Sequence, residues 1–194
     1  MVRGRPREFS TDEALDKAML VFWRRGYRGT SLDDLTDALG INRPSLYAAF
    51  GDKETLFLSV VEQYQKKMLL PSAKELFSCE NLREGLGAFF DSLGSLLTGP
   101  ETPPGCMIAC LMSEECCESE LLRSKLASII ETADKNFTAL FKSHERELVP
   151  SLSAEVAAKL LFSLCQGLAI RARAGASKRS LTEIGNAFIA AILI

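Results

Sequence analysis

The chain is poor in the groups from which catalytic and metal sites are built. Among its 194 residues there is one histidine, His144, and it stands in the charged run from Lys142 to Glu147. No glycine-rich phosphate loop and no Ser-His-Asp order is visible, so the constellation of nucleophile, base or metal that an enzyme needs is missing, and no enzyme is expected. Glu114 and Glu115 are sequence neighbours, which on a helix point about 100° apart, so they read as a solvated face rather than a carboxylate pair. The short Cys-x-x-Cys spacing of zinc sites is missing, so no metal and no cofactor is expected. The N-terminus carries no apolar run of the kind a signal peptide needs, and the apolar stretch Ala187 to Ile194 falls far short of the ~20 residues that cross a bilayer. No membrane partner is expected, and the six cysteines should be reduced thiols in a bacterial cytoplasm. Internal repeats, low-complexity tracts and strand-like alternation are also absent.

What is present is helical periodicity. An apolar content of 47% supports a packed core, and the formal net charge of −2 excludes a uniformly basic surface. The positive charge is instead local. Arg3, Arg5 and Arg7 form a basic arm suited to a minor groove or to solubilising the terminus, and Arg24, Arg25 and Arg28 follow the first helix. Ser10 and Glu13 predict a capping box for that helix, with Leu15, Ala18, Met19 and Phe22 on its buried face and Gly26 at its end.

The most informative stretch is Thr30 to Lys53. Ser31 is placed to cap a helix whose Leu32, Leu35 and Leu39 form one apolar stripe, and Gly40 can close it in a left-handed conformation. Asn42 then caps a second short helix with Arg43 and Pro44 in its first turn, Leu46 and Phe50 inward, and Arg43, Ser45, Tyr47 and Ala48 outward. Two short helices joined by so tight a turn suit a helix-turn-helix, whose second helix enters the major groove by its N-terminal end.

Phe22, Gly26, Tyr27, Thr30, Ser31, Leu39, Gly40, Leu46, Tyr47, Phe50, Lys53 and Leu56 together resemble the N-terminal domain of TetR-type bacterial transcriptional regulators, over roughly residues 9 to 57. The resemblance implies an all-α protein: a three-helix helix-turn-helix domain (1–52, with the basic arm) joined by a long helix to a helical ligand-binding and dimerisation domain (53–194). It implies a dimeric regulator, a repressor on a palindromic double-stranded operator, released by a small molecule or by thiol modification. Carried over by position, Thr30 and Lys53 resemble phosphate contacts, Tyr47 the aromatic hydroxyl on the backbone, and Arg43 and Ser45 the positions that reach bases. With Ser31 and Pro44 these make up the candidate DNA-binding set. Taken singly, each has a plainer reading: Thr30 as a helix cap, Tyr47 as packing, Lys53 as a solvated charge. The rival for the whole is a helical ligand-binding or interaction protein that has lost DNA binding.

Beyond this module, Asp52 should cap a helix running to about Leu70, where Pro71 bends or ends it. Further helices are expected over 82–97, 106–117 and 119–147, with the loop from Gly99 to Gly105 as the clearest break. The last two helices are apolar on nearly every side, which calls for a partner on a second face and makes Leu161, Leu164, Leu168, Ile184 and Phe188 candidate homodimer contacts. The sensing candidates divide between two chemistries. Cys106, a cysteine after a proline-containing loop, is similar to a sensor cysteine of some TetR-type regulators. It shares a helix face with Cys110, and the alternative is that both are small buried hydrophobes. A small apolar or amphipathic effector would instead meet Tyr64, Phe89, Phe90, Met107, Leu111 and Gln166.

Overall fold

A computed structural model describes residues 10–194, with only the backbone of residue 113. The basic arm of Arg3, Arg5 and Arg7 lies outside the described residues. Two compact units divide between Lys66 and Lys67.

The first unit holds α1 (Thr11–Arg25), α2 (Leu32–Leu39), α3 (Arg43–Phe50) and α4 (Lys53–Tyr64). Ser10 stands at the N-cap of α1 but its side chain makes no capping hydrogen bond, so the box expected with Glu13 does not form. The apolar stripe of α1 is as expected, and Leu15, Ala18, Met19, Phe22 and Trp23 are buried. They meet α4 edge-on: Phe22 lies 5.0 Å from Phe57 and Trp23 lies 5.2 Å from Tyr64, both in T-shaped contact. Gln63 fixes the register between these helices, its amide donating to the Asp12 carbonyl at 3.4 Å and to Asp16 Oδ1 at 3.2 Å. Because α4 packs on α1 in this way, the unit extends past the boundary at residues 52/53 that the sequence pattern proposes.

Between residues 65 and 73 the chain does not continue α4 as a regular helix to Leu70. A widened π-type turn (Gln65–Leu69) precedes the single turn α5 (Leu70–Ala73), which carries Pro71 near its start. Proline has no N–H to give the preceding turn and its ring crowds the carbonyl four residues back, which a wider turn accommodates.

The second unit contains α6 (Leu82–Thr98), α7 (Met107–Glu115), α8 (Glu120–Ser143), α9 (Ala154–Arg173) and α10 (Lys178–Ile192). Helices α6 and α10 run antiparallel: Asp91 pairs with Lys178 at 2.8 Å, Phe90 meets Phe188 at 6.0 Å, and Arg83 donates to the Ile194 carbonyl at 3.2 Å. Their approach depends on Gly185, where a Cβ would lie 2.4 Å from the Phe90 ring. Phe90 is itself buried and has nowhere to retreat. Gly185→Ala is therefore expected to cost about 1–3 kcal/mol and lower the thermal midpoint by roughly 3–10 °C; calorimetry showing no change contradicts this packing. Helices α8 and α9 are antiparallel as well, with Lys142 to Glu155 at 2.7 Å at one end and Phe137 to Phe162 at 6.5 Å further along. Glu115, expected in a solvated face, is buried at the end of α7. Among the described residues no helix is long and apolar enough to cross a membrane.

Candidate nucleic-acid interface

The turn between α2 and α3 is set by backbone geometry. Gly40 adopts φ 69° and ψ 32°, its N–H reaches the Asp37 carbonyl, and the Ile41 N–H reaches the Thr36 carbonyl at 3.1 Å. This pair of bonds is a Schellman closure, and its left-handed residue is best supplied by glycine. Asn42 Oδ1 then accepts from the Ser45 N–H at 2.9 Å and starts α3, with Arg43 and Pro44 as its first residues. Leu46 and Phe50 are buried, which turns Arg43, Pro44, Tyr47 and Ala48 to the outside, with Ser45 half-exposed beside them.

Ser31 and Asp34 form a reciprocal box at the start of α2: the Asp34 N–H donates to Ser31 Oγ at 3.1 Å and the Ser31 N–H to Asp34 Oδ2 at 2.9 Å. The Ser31 hydroxyl also donates to Asp34 Oδ2 at 2.8 Å, so in the free protein it serves the cap. Arg25 of α1 pairs with the same carboxylate. At the start of α4, Asp52 Oδ1 accepts from the N–H and the hydroxyl of Thr55, both at 2.8 Å.

Those bonds hold both carboxyls below the ordinary aspartate value of 3.8. For Asp34 the main cause is the Ser31 N–H, with the Ser31 hydroxyl and Arg25 adding to it; for Asp52 it is the Thr55 N–H. A folded value below the unfolded one gives stability that is complete above roughly pH 4 and is lost as the pH falls through the lower, folded value. Thermal midpoints are expected to hold down to about pH 4 and then fall, with a shallower acid limb in Asp34→Asn and Asp52→Asn. Parallel acid limbs in wild type and both variants contradict the assignment.

One of the sequence candidates sits differently from expectation, and another has a partner that the sequence does not show. Thr30 is 1% exposed and its hydroxyl donates to the Gly26 carbonyl at 2.6 Å, so it latches the turn after α1 instead of facing a phosphate. Lys53 stands over the Tyr27 ring, 4.4 Å from its centre, a cation–π contact that the sequence does not announce. The sequence reading also misses Asp33, which grips Arg43 through Nε at 3.0 Å and Nη2 at 2.8 Å. Two consecutive aspartates at a helix start read as cap residues, and no periodicity links Asp33 to a residue ten positions on.

In the second unit, a cavity of about 90 Å³ lies among α6, α7, α8 and α9. Leu93, Leu97, Ile129 and Phe162 line it together with Cys106, Cys165 and Gln166. Of the effector candidates, the structure thus brings Cys106 and Gln166 together. Tyr64 is packed on Trp23 in the first unit, Phe89 lies tilted against Phe90 and edge-on to Phe137, and Met107 is fully buried. Cys110 points elsewhere, since a Cβ on Gly105 would touch its Sγ at 3.0 Å. Burial raises the Cys110 thiol, with partial relief from Arg173, and raises Cys165 to about 12. Cys106 occupies the N-cap of α7, without a side-chain cap bond.

Leu161 and Leu168, expected at an interface between subunits, are buried inside the unit, where α9 also turns Ala157, Ala158, Ala169 and Ala172 inward. Its opposite face exposes Val156, Leu160 and Ile170, with Leu164 half-buried at the edge. On α10, Ile184 and Phe188 are half-buried and Ala187, Ala190 and Ala191 are exposed.

Comparison with known proteins agrees with this architecture. The model of the family described as "Bacterial regulatory proteins, tetR family" matches residues 14–60. The HTH-type transcriptional repressor ComR of Escherichia coli is 33% identical over 186 residues, which is 94% of this chain and 88% of ComR. The HTH-type transcriptional repressor BdcR of the same organism is 44% identical over 72 residues, 37% of this chain and 36% of BdcR. A solved structure of the TetR family transcriptional regulator CifR, a cysteine mutant complexed with 26-base-pair operator DNA, is 31% identical, with a TM-score of 0.87 over 96% of this chain and 99% of that one. Such identity along almost the whole length, on an all-helical fold that opens with a helix-turn-helix, places this chain in the TetR family of DNA-binding transcriptional regulators.

Proposed function

We propose that the protein is a repressor that binds an inverted-repeat operator as a homodimer and releases it when the second unit takes up a small effector. The observation that carries the DNA half is the exposed start of α3, where Arg43, Pro44, Ser45 and Tyr47 project from a helix held rigidly by the Gly40 closure and the Asn42 cap. In this reading Arg43 and Ser45 meet base edges, Tyr47 and Lys53 meet phosphates, and Pro44 makes apolar contact with the groove wall. Thr30 and Ser31 act behind them by holding the turn and the start of α2.

The exposed stripe of Val156, Leu160 and Ile170, with half-buried Leu164 at its edge and the alanines of α10, Ile184 and Phe188 beside it, serves as the dimer contact. Small residues let the helices approach closely, and a two-fold pair sets two reading helices about 34 Å apart, one helical turn of DNA. The repressor assignment follows ComR and BdcR, which carry that description.

The effector reading rests on the second-unit cavity. Its apolar wall, with Gln166 as the amide anchor and the Cys165 thiol held neutral, suits a small uncharged molecule. Thiol modification is a second route favoured by one observation: Cys106 lines the same cavity, so a group attached to its sulfur would fill the space that a ligand fills. Either acts by its preference for the conformation that cannot bind DNA, and by no more than that preference.

Transcription by purified polymerase tests the assignment, using a promoter overlapped by a duplex the protein binds. The transcript is expected to fall as protein is added. A rise overturns the repressor reading, and an unchanged yield with the duplex fully bound overturns the regulatory one.

A further inference from the structure

Arg43 is held before it meets any ligand. Its Nε donates to Asp33 Oδ1 at 3.0 Å, and its Nη2 donates to Oδ1 and Oδ2 of the same carboxylate at 2.8 and 2.9 Å. The grip takes one edge of the guanidinium and leaves Nη1, which has no partner among the described residues. A guanidinium is planar and rigid, so fixing one edge fixes the direction of the remaining donors. Both side chains are more than half exposed, and an exposed pair of this kind adds little to folding stability. The neighbouring carboxylate, Asp34, is engaged by Arg25 and by the α2 cap, so it does not compete for Arg43.

We infer that Asp33 is a specificity-determining positioning residue: it aims the free donors of Arg43 at a guanine of the operator half-site and opposes indiscriminate use of Arg43 on phosphate. The inference rests on the DNA-binding reading of α3 given above. Two physical consequences support it. Phosphates can be met by an arginine from many directions, whereas the O6 and N7 acceptors of guanine are met from one, so orientation matters only for the base. The Asp33 carboxylate, on α2 but held against the first residue of the reading helix, also repels the phosphate backbone, and it lowers affinity for every duplex that does not compensate with a base contact.

The test is equilibrium binding of the full chain to its selected duplex and to a scrambled duplex of the same length, over a series of salt concentrations, for wild type, Asp33→Asn and Asp33→Glu. Asp33→Asn is expected to bind the scrambled duplex ~3- to 10-fold more tightly, with a salt slope steeper by about 0.9 for one added phosphate contact. Its operator affinity is expected to stay within ~3-fold, so the ratio between the two duplexes falls, and a repeated selection loses guanine preference at one position of each half-site. Asp33→Glu, which keeps the charge, is expected to restore part of the ratio. In an Arg43→Ala background, Asp33→Asn leaves base preference unaltered. Circular dichroism confirms that each variant is folded. An unchanged ratio and base preference in Asp33→Asn overturns the inference, as does a change in preference that persists without Arg43. Wild type with no preference for any duplex instead overturns the DNA-binding reading beneath it.

Discussion

Arg43→Ala is expected to weaken binding to the selected operator by about 10- to 100-fold, which is about 1–3 kcal/mol, while binding to a scrambled duplex weakens only a few-fold. The reasoning is geometric. Arg43 is the first residue of α3, exposed at the end that a helix-turn-helix inserts into the groove, and its removal leaves both the Asn42 cap and the Leu46 and Phe50 anchors in place. The loss is therefore one of recognition and not of folding. Lys53→Ala provides the contrast. A phosphate contact carries no sequence information, so its removal should weaken operator and scrambled duplex alike and reduce the salt slope by about one. Electrophoretic shifts or fluorescence anisotropy on the two duplexes read both effects. Equal losses on the two duplexes in Arg43→Ala contradict a base-reading role.

Phe57→Ala is expected to cost about 3–5 kcal/mol, enough to unfold much of the first unit at 37 °C and to remove DNA binding with it. Phe57 is fully buried, in T-shaped contact with Phe22 at 5.0 Å and tilted against Tyr27 at 5.0 Å. The two rings against it, Phe22 and Tyr27, are themselves stacked at 6.1 Å and so are braced against collapsing into the space. The single tryptophan, Trp23, is buried in the same unit and reports the change directly. Its emission should shift to longer wavelength and its unfolding midpoint in urea should fall. A midpoint within error of wild type contradicts the view that this aromatic cluster holds the reading helices in register.

The helices and the turn of the first unit were legible because each rests on local chemistry. Gly40, Asn42 and Asp52 act within a few residues of their own position, and the stripes Leu15–Phe22 and Leu35–Leu39 follow helical spacing. Burial of particular residues was less legible, because it depends on neighbours distant in sequence. Leu161 and Leu168 look like interface residues when α9 is read alone, apolar on all sides. Only the packing of the second unit reveals that they join the alanine-rich inner face and that Val156, Leu160 and Ile170 are the ones left outside. Tyr64 and Thr30 mislead for the same reason: each carries a hydroxyl suited to a ligand, and each is enclosed by partners that no spacing rule names. The cavity was half-readable: Cys106 and Gln166 were named for it, whereas Phe162 and Cys165 beside Gln166 on α9, and Leu93 on α6, were not. Asp33 was out of reach, since its partner lies across a turn and on another helix.

Selection of duplexes from random DNA by the purified full chain tests the central claim most directly. The account predicts an enriched inverted repeat whose half-sites lie about one helical turn apart, bound in a salt-dependent manner and weakened by Arg43→Ala. Failure to enrich any sequence at low salt, with a folded protein, contradicts it and leaves a helical protein that keeps this fold for another partner.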